Sequence, residues 1–420
     1  MSLDLSAVFE RRRFSIKPGL DRVRALLERL GSPERQFTTV HLVGTNGKGS
    51  TAAMLASIAS RAGYRTGLFT SPHLVTYRER FRINGVEIEQ ERLEQLTRHV
   101  LSLASEETTF FEVTTALACR YFADEAVDLV VMEAGMGGAD DATAAAEGPL
   151  TLVTPISLDH CQWLGSDRAA IAATKVSIAR RGSIVLSAPQ EPDVEAVITQ
   201  VCRKNRIRHR RIEPKLVDGQ LVFDGSEGDQ FALTVPLSGN HQRINASLAV
   251  AGAQMLGSCG LPINDSAICD GLASTRWPGR LQPAHYRGLS LLLDGAHNPA
   301  GIRALAAWLR TDEAPRRLVL ICGAMEDKDT TLLAEELAPL VEQVSTVSIS
   351  MDRSCSAEAL AEPFRARGCA VHVQETISTA LDRLADEPAA DRTILITGSL
   401  YLVGEALALV EGTTSHAVRG

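Results

Sequence analysis

The sequence has no run of 18 apolar residues, so it predicts no helix that could span a membrane. Near its beginning it carries Asp4, Glu10 and three arginines instead of the apolar core of a secretory signal peptide. None of the eight cysteines forms a CxxC pair, and their spacing fits no zinc template. We therefore expect a cytoplasmic protein whose thiols are reduced.

Charge of one sign is not concentrated along the chain either. The net charge is −8, and the sequence has no basic stripe of the kind that binds nucleic acid. Two short basic runs, at residues 11–13 and 203–211, are interpreted as solvated surface. Internal repeats and low-complexity segments are also missing. We expect small molecules as partners, and neither nucleic acid nor a membrane.

What the sequence does contain is a regular alternation of short apolar runs and amphipathic helical patterns. The predicted strands are residues 38–43, 128–133, 151–156, 183–187, 289–294, 317–322, 344–350 and 393–397. The predicted helices include residues 50–62, 91–103, 113–123, 300–310 and 332–340. This alternation is typical of doubly wound parallel α/β sheets.

The length and one break in this pattern predict two domains. A chain of 420 residues is too long for one ordinary domain. Residues 277–280 interrupt regular structure, and a new series of strands and helices begins at Leu289. We expect a P-loop-type ATPase domain over residues 1–285 and a smaller Rossmann-like α/β domain over residues 286–420.

A glycine-rich loop follows the first predicted strand. Residues 44–49 carry three glycines, and a predicted helix comes directly after them. A strand, a glycine turn and a helix N-terminus place several backbone N–H groups and the positive end of the helix dipole at one point, which favours a polyphosphate. Lys48 would bridge the outer phosphates, and Ser50 or Thr51 would help to hold Mg²⁺.

The loop departs from the standard G-x-x-x-x-G-K-[ST] pattern, because Leu42 occupies the first glycine position and Gly49 follows Lys48. The alternative to a phosphate site is a plain glycine turn of an α/β fold. We interpret the loop as an ATP site because GKGST stands at a strand-to-helix junction. The loop alone is equally typical of a kinase, a switch, a transport ATPase or a ligase.

Further motifs narrow these classes. In chain order they are FTSPHL at 69–74, EAGMGG at 133–138, DAT at 141–143, DH at 159–160, GNHQ at 239–242, WPGR at 277–280, DGAHNP at 294–299 and GSLY at 398–401. Any one of them is a weak signal, but the ordered set is specific. With the phosphate loop first, this set resembles folylpolyglutamate synthase/dihydrofolate synthase, of the Mur ligase superfamily, from about residue 14 to residue 404.

The resemblance implies an ATP-dependent amide ligase. In that family ATP phosphorylates a substrate carboxylate to an acyl phosphate, and the amine of L-glutamate then displaces the phosphate. The acid would be dihydropteroate or the terminal glutamate of a folate. The implied cofactors are ATP and Mg²⁺, and the implied oligomeric state is a monomer.

The resemblance also implies a metal site and a modified lysine. The Mg²⁺ ligands would be Ser71, Glu133 and His160. Lys175 corresponds to a lysine that is carbamylated in the family, where the carbamate helps to hold a second Mg²⁺. Taken singly, these residues have plainer interpretations: a strand-end carboxylate for Glu133, a loop histidine for His160 and a surface lysine for Lys175.

The nucleotide contacts follow in the same way. The predicted ATP-binding residues are Gly47, Lys48, Gly49, Ser50, Thr51, Asn245, Arg280 and Asp294. Arg280 follows a rigid Pro-Gly turn that would aim its guanidinium at a phosphate. The predicted catalytic residues are Lys48, Lys175 and His297, and a helix-capping role for His297 is an even alternative.

The acid substrate would lie beside two segments. The predicted residues are Thr109, Phe110, Phe111, Glu112, Asp140, Asp141 and Ala142. Phe110 or Phe111 offers an aromatic face to a flat heterocycle, although a core position for one of the two is an equal alternative.

The sequence departs from the family near this acid side. Ala139 stands where the family has arginine, Ala144 where it has asparagine, and TKVSI at 174–178 where it has EKAGI. An alanine in place of arginine removes a fixed cation and up to five donors. Two alternatives therefore stay open: a Mur-type ligase for a non-folate acid or a different amine, and a catalytically weakened nucleotide-binding protein.

Overall fold

The computed structural model of the chain describes residues 6–13, 18–159, 165, 167–387 and 391–413. The chain divides into two compact units. The first unit comprises Met1–Pro72, Arg78–Pro236 and His241–Arg276, and the second comprises His73–Tyr77, Leu237–Asn240 and Trp277–Gly420.

The first unit is built on a largely parallel sheet. Its strands are β1 (Thr38–Val43), β2 (Thr66–Phe69), β3 (Phe81–Ile83), β4 (Val86–Glu87), β5 (Leu129–Glu133), β6 (Leu150–Val153), β7 (Ile184–Ser187) and β8 (Arg208–Arg211). The spatial order is β4-β3-β2-β5-β1-β6-β7-β8. Strand β3 runs antiparallel to β2, and β4 runs antiparallel to β3. The other neighbours are parallel, so their carboxyl ends share one edge.

Helices and a small second sheet complete this unit. The helices are α1 (Ser6–Phe9), α2 (Asp21–Arg29), α3 (Lys48–Arg61), α4 (Gln90–Leu103), α5 (Phe110–Asp124), α6 (Arg168–Val176), α7 (Pro192–Lys204), α8 (Asn240–Leu256, entering from the second unit) and α9 (Asp265–Ala273). The small antiparallel sheet consists of β9 (Lys215–Val217), β10 (Gln220–Asp224) and β11 (Gln230–Ala232). Short 3-10 helices lie at Glu10–Arg13, Pro33–Arg35, Tyr77–Arg80, Ala142–Ala145 and Gly257–Cys259.

The central strands are apolar on both faces because helices cover both sides of a doubly wound sheet. Val40, Leu42 and Val130 are completely buried. The edge strand β8 is different, since Arg208, Arg210 and Arg211 are exposed. Charged side chains on an edge strand oppose pairing with other chains. The basic run at residues 203–211 is therefore solvated at this edge, as the sequence predicted.

The second unit contains one mixed sheet. Its strands are β12 (Gln282–Tyr286), β13 (Leu289–Leu293), β14 (Leu318–Cys322), β15 (Gln343–Val347), β16 (Val371–Gln374) and β17 (Thr393–Thr397), in the order β12-β13-β17-β14-β15-β16. Its helices are α10 (Pro299–Leu309), α11 (Thr330–Leu337), α12 (Ala357–Arg365), α13 (Ile377–Asp386) and α14 (Leu400–Glu411), with a 3-10 helix at Ala338–Leu340.

The division of the units differs from the predicted boundary at residues 285 and 286. Strand β12 pairs antiparallel with β13 along its whole length, so this strand and the turn before it belong to the second unit, which resumes at Trp277. The two short segments His73–Tyr77 and Leu237–Asn240 also join it. Leu74 and Val75 do so because they pack into the apolar cluster around Leu293, Ile321 and Val403.

The predicted elements agree well with the structure. Two of the predicted strands, now β1 and β17, have the same bounds, and the predicted α/β fold class is confirmed. The strand predicted over 151–156 is too long, because β6 ends at Val153. Beyond it the chain leaves the sheet, and the Pro155 carbonyl accepts hydrogen bonds from the backbone N–H groups of Thr45 and Asn46 at 3.0 and 3.3 Å.

Candidate active site

The glycine-rich loop has the predicted position between β1 and α3. Gly44 and Gly47 have φ values of 137° and 88°, which side-chain-bearing residues rarely adopt. A Cβ on Gly44 would lie 2.1 Å from Thr154 Oγ1, and one on Gly47 would lie 2.3 Å from Asn245 Oδ1. Both positions therefore require glycine. Helix α3 begins at Lys48, earlier than the predicted Ser50, so the positive end of its dipole faces this loop.

Lys48 lies between the loop and strand β5. Its Nζ donates to the Thr45 carbonyl at 3.0 Å and lies 3.8 Å from Glu133 Oε1. Glu133 is the last residue of β5 and pairs with Leu42 of β1. The cation and the carboxylate thus meet at the carboxyl edge of the sheet, where open α/β sheets bind ligands.

Glu133 also connects to the predicted metal ligand Ser71. Glu133 is 5% exposed, and its Oε2 accepts a hydrogen bond from the Ser71 backbone N–H at 3.2 Å. The third predicted ligand, His160, lies outside the described residues. Among the residues that are described, no three His, Cys, Asp or Glu side chains converge on one point. Serine and carboxylate oxygens are donors that suit Mg²⁺, which needs few protein ligands when it also binds phosphates.

Asn245, from α8, reaches the same loop. Its side chain is buried, and its Nδ2 donates to Gln242 Oε1 at 2.9 Å. The contact with Gly47 places the amide beside the turn that precedes α3. The predicted nucleotide residues Gly49, Ser50 and Thr51 form the first turn of α3, and Ser50 and Thr51 are buried.

Lys175 is buried in the last turn of α6, so a surface position is excluded. It is 5% exposed, and its Nζ donates to the Met136 carbonyl at 3.2 Å. Burial, followed by the nearby charge of Lys48, lowers the pKa of Lys175 to about 7, although Asp141, Asp159 and Glu133 act in the opposite direction. A large neutral fraction at neutral pH favours carbamylation, since the free amine is the form that attacks CO₂.

The lowered pKa predicts a pH dependence of stability. Between pH 7 and 10.5 the unfolded chain binds a proton at Lys175 that the folded chain does not, so the free energy of unfolding should rise with pH across this window. The slope for one proton is at most about 1.4 kcal/mol per pH unit. Denaturant unfolding of wild type and Lys175→Met in CO₂-free buffer measures this term. Equal slopes for the two proteins would contradict the assignment.

The first acid-side segment forms the start of α5. Thr109 caps the helix by accepting the Glu112 N–H, and Glu112 Oε2 accepts the Thr109 N–H at 2.7 Å. Glu112 also pairs with Arg22 at 3.0 Å, a partner that sequence reasoning missed because it lies on α2. These contacts give Thr109 and Glu112 a structural function. Phe110 and Phe111 are partly exposed, so each retains some surface that is open to solvent.

The two phenylalanines differ in their surroundings. Phe110 packs against Phe9 at 5.9 Å and lies under the Arg80 guanidinium at 5.6 Å. Phe111 packs against Phe69 at 6.1 Å, and a Cβ on Gly135 would lie 2.6 Å from its ring. Phe111 therefore borders the glycine-rich segment 135–138, which follows Glu133 and leads to the second acid-side segment.

The second acid-side segment is organised by Asp141. Its Oδ2 accepts the backbone N–H groups of Met136 and Gly137 at 2.9 and 3.2 Å, and its Oδ1 accepts the N–H and hydroxyl of Thr143 at 3.1 and 2.6 Å. Asp141 thus holds the loop in shape with both oxygens. Asp140 is exposed and Ala142 is buried.

Two positions that depart from the family pattern, Ala139 and Ala144, are bonded to residues that follow α6. The Ala139 N–H donates to Ser177 Oγ at 2.9 Å, and the Ala144 carbonyl accepts from Arg180 Nη2 at 3.3 Å. The sequence offered one signal for Ser177, because it replaces a glycine of the family pattern. It offered none for Arg180.

Gly138 is the tightest position of this loop, and it yields a prediction. A Cβ there would lie 1.6 Å from the Thr174 carbonyl oxygen, so Gly138→Ala must displace the loop or α6. We expect the free energy of unfolding to fall by about 1–3 kcal/mol, as for other overpacked sites. Gly137→Ala is the matched control, because its Cβ would meet Asp141 N at 3.6 Å. Equal denaturation midpoints for the two variants would refute the expectation.

The remaining predicted residues lie in the second unit. Asp294 is buried, and its two oxygens accept the backbone N–H groups of Leu281 and Ala296, each at 3.0 Å. Arg280 Nη1 donates to the Gly279 carbonyl at 2.9 Å, and His297 Nδ1 lies 2.7 Å from the Gly295 carbonyl. Arg280, Asp294 and His297 therefore gather where β13 ends. Asn298, not His297, caps α10.

Two domain families match the chain, and together they define the class of the protein as that of the Mur ligases. Residues 42–253 match the Mur ligase middle domain, and residues 279–400 match the Mur ligase glutamate ligase domain. A dihydrofolate synthase/folylpolyglutamate synthase of Bacillus subtilis is 32% identical over 422 residues, covering 95% of this chain and 96% of the relative. This chain belongs to the dihydrofolate synthase/folylpolyglutamate synthase family.

Two solved structures resemble the whole chain. FolC of Escherichia coli in complex with DHPP and ADP has a TM-score of 0.87 and 28% identity, and the match covers 97% of each chain. A bifunctional folylpolyglutamate synthase/dihydrofolate synthase with Mn, AMPPNP and L-glutamate has a TM-score of 0.86 and 28% identity, covering 98% of each chain. The predicted resemblance and ligase class are confirmed. Every helix in the described part of the chain is too short or too polar to cross a membrane.

Proposed function

We propose that this protein is an ATP-dependent ligase that joins L-glutamate through an amide bond to dihydropteroate or to a folyl (poly)glutamate. The observation that carries the proposal is the ion pair of Lys48 with Glu133, which lies beside the glycine-rich loop at the carboxyl edge of β1 and β5. Lys175 is bonded to the Met136 carbonyl in the loop that follows β5. The membership of this chain in the dihydrofolate synthase/folylpolyglutamate synthase family supports dihydropteroate and folyl (poly)glutamates as the acid substrates. The ligands of its solved relatives, a nucleotide, DHPP, manganese and L-glutamate, support the nucleotide, the acid, the divalent metal and the amine.

The phosphate loop would bind ATP through the backbone N–H groups before α3 and through Lys48. The acid carboxylate and the γ-phosphate are both anions, so their approach has to be offset by positive charge. Lys48 supplies that charge, and Glu133, 3.8 Å away, holds its ammonium in place. The carboxylate oxygen then attacks the γ-phosphorus, ADP leaves, and an acyl phosphate forms.

The metal would be held by Ser71 and Glu133, together with His160 and the phosphates of ATP. When bound, Mg²⁺ neutralises negative charge on the phosphates. The Ser71 backbone N–H already fixes one Glu133 oxygen at 3.2 Å, so the carboxylate is oriented before any metal binds. If Lys175 is carbamylated, its anion would add oxygen donors beside this site.

The acid would bind beside Phe110 and Phe111, with Ala142 buried in the neighbouring loop. The amine of glutamate attacks the acyl carbonyl carbon, phosphate leaves with one former carboxylate oxygen, and the amine proton is released. Arg280, Asp294 and His297 are proposed to serve the nucleotide and the chemical step. We further propose a monomer that acts in the cytoplasm.

A panel of acids tests this function. Purified protein with ATP and Mg²⁺ is given dihydropteroate or tetrahydrofolate, each with and without L-glutamate, and phosphate release is measured. The proposal expects glutamate-dependent release with at least one of the two. Release with neither acid would refute the folate substrate.

One observation favours a second candidate, a Mur-type ligase for a different acid. Ala139 offers no side-chain cation, and its backbone N–H is already bonded to Ser177 Oγ at 2.9 Å. An acid that needs a cation at this position would bind weakly. Glutamate-dependent turnover of a non-folate carboxylate, with none for the two folate acids, would establish this alternative.

A further inference from the structure

The loop from Gly135 to Ala139 connects three parts of the candidate site. At one end, Gly135 lies against the ring of Phe111 on the acid side. In the middle, the Met136 carbonyl accepts the hydrogen bond from Lys175 Nζ at 3.2 Å. At the other end, the Ala139 N–H donates to Ser177 Oγ at 2.9 Å. The loop therefore supplies the carbonyl that accepts a hydrogen bond from the Lys175 amine.

Two side chains, those of Asp141 and Ser177, accept hydrogen bonds from backbone groups of the loop. Asp141 accepts the N–H groups of Met136 and Gly137 and so determines the shape of the turn. Ser177 determines where that turn lies relative to α6. Its hydroxyl donates to the Thr174 carbonyl at 2.5 Å while it accepts from Ala139, so its hydrogen and one lone pair are directed by two backbone groups.

Beside Ser177, the loop lies very close to α6 at Gly138. A Cβ on Gly138 would lie 1.6 Å from the Thr174 carbonyl and 2.6 Å from Ser177 Oγ. The loop can approach α6 this closely only because Gly138 has no side chain, and the Ala139–Ser177 hydrogen bond holds it there. Lys175 stands between Thr174 and Ser177 in sequence, so the same stretch of chain carries the bond and the amine.

We propose that Ser177 is a positioning residue, which holds the 135–139 loop against α6 so that the Met136 carbonyl orients the amine of Lys175. This inference rests on the proposed function for its catalytic consequence. Its structural part, the link between the Ala139 N–H and the Ser177 hydroxyl, stands on geometry alone.

The test compares Ser177→Ala with two controls. Ser177→Thr retains the hydroxyl and should restore most of the activity. Ser183→Ala is the matched control. The hydroxyls of Ser183 and Ser177 each donate to the carbonyl three residues earlier, at 2.6 and 2.5 Å. Ser183 has no hydrogen bond to the 135–139 loop. We expect Ser177→Ala to lower kcat by about 10-fold with an unchanged KM for ATP, as for other residues that orient a site ligand.

A second readout is independent of the reaction. Hydrogen exchange at the Ala139 amide should be faster in Ser177→Ala than in wild type or Ser183→Ala, because the amide loses its acceptor. Unchanged exchange at Ala139, or a kcat equal to that of Ser183→Ala, overturns the proposal. If wild-type protein shows no glutamate-dependent phosphate release, the proposed function fails, while the exchange measurement still decides the link between loop and helix.

Discussion

Lys48→Ala should lower glutamate-dependent turnover by about 1,000-fold, the upper range for the loss of one group that stabilises charge in a transition state. The ammonium lies 3.8 Å from Glu133 and 3.0 Å from the Thr45 carbonyl, at the start of α3. Without it, no positive side chain of the phosphate loop offsets the repulsion between the γ-phosphate and the acid carboxylate. Steady-state phosphate release with saturating ATP, acid and glutamate measures the effect.

The control for this variant is Lys204→Ala, which removes an exposed lysine from the last turn of α7. Its activity should equal that of wild type. Circular dichroism should show that Lys48→Ala remains folded. If Lys48→Ala retained more than a tenth of wild-type turnover, the phosphate loop would not have the assigned function.

Lys175→Ala should lower turnover by about 100-fold, and small carboxylates such as formate or acetate should restore part of it. The physical reason is the burial of Lys175 and its lowered pKa of about 7, which leave the amine ready to react with CO₂. A carbamate is an anion with two oxygens, and an added carboxylate of similar shape can occupy the space that the truncated side chain leaves.

Mass spectrometry of the intact protein in bicarbonate buffer adds a direct check, since carbamylation adds the mass of CO₂. Lys215→Ala serves as the control, because Lys215 is exposed on β9 and pairs with Asp224. An unaffected rate in Lys175→Ala would rule out the catalytic assignment. A lowered rate without rescue by carboxylates would leave Lys175 important but argue against the carbamate.

The sequence predicted the scaffold of the site well, because the scaffold depends on local patterns. The apolar run of β1, the glycines at 44 and 47 and the helix behind them each carry their own signal. The apolar run at 128–133 likewise placed Glu133 at the end of a strand. These features need no knowledge of which strands are neighbours.

The contacts that organise the acid side could not be read from the sequence, because they join distant residues. Glu112 and Asp141 were predicted to contact the acid, yet the carboxylate oxygens of both accept hydrogen bonds from backbone N–H groups. Glu112 also forms an ion pair with Arg22. A carboxylate in a loop or at a helix start is as suited to accepting backbone N–H groups as to binding a ligand. Only the folded arrangement separates these two functions.

The most direct test of the central claim follows the oxygen atoms of the acid. Dihydropteroate labelled with ¹⁸O in its carboxylate is incubated with the protein, ATP, Mg²⁺ and L-glutamate, and the released phosphate is analysed by mass spectrometry. A ligase that forms an acyl phosphate transfers one ¹⁸O to each phosphate, in step with the amide product. Amide formation with unlabelled phosphate, or phosphate release without amide, would contradict the account.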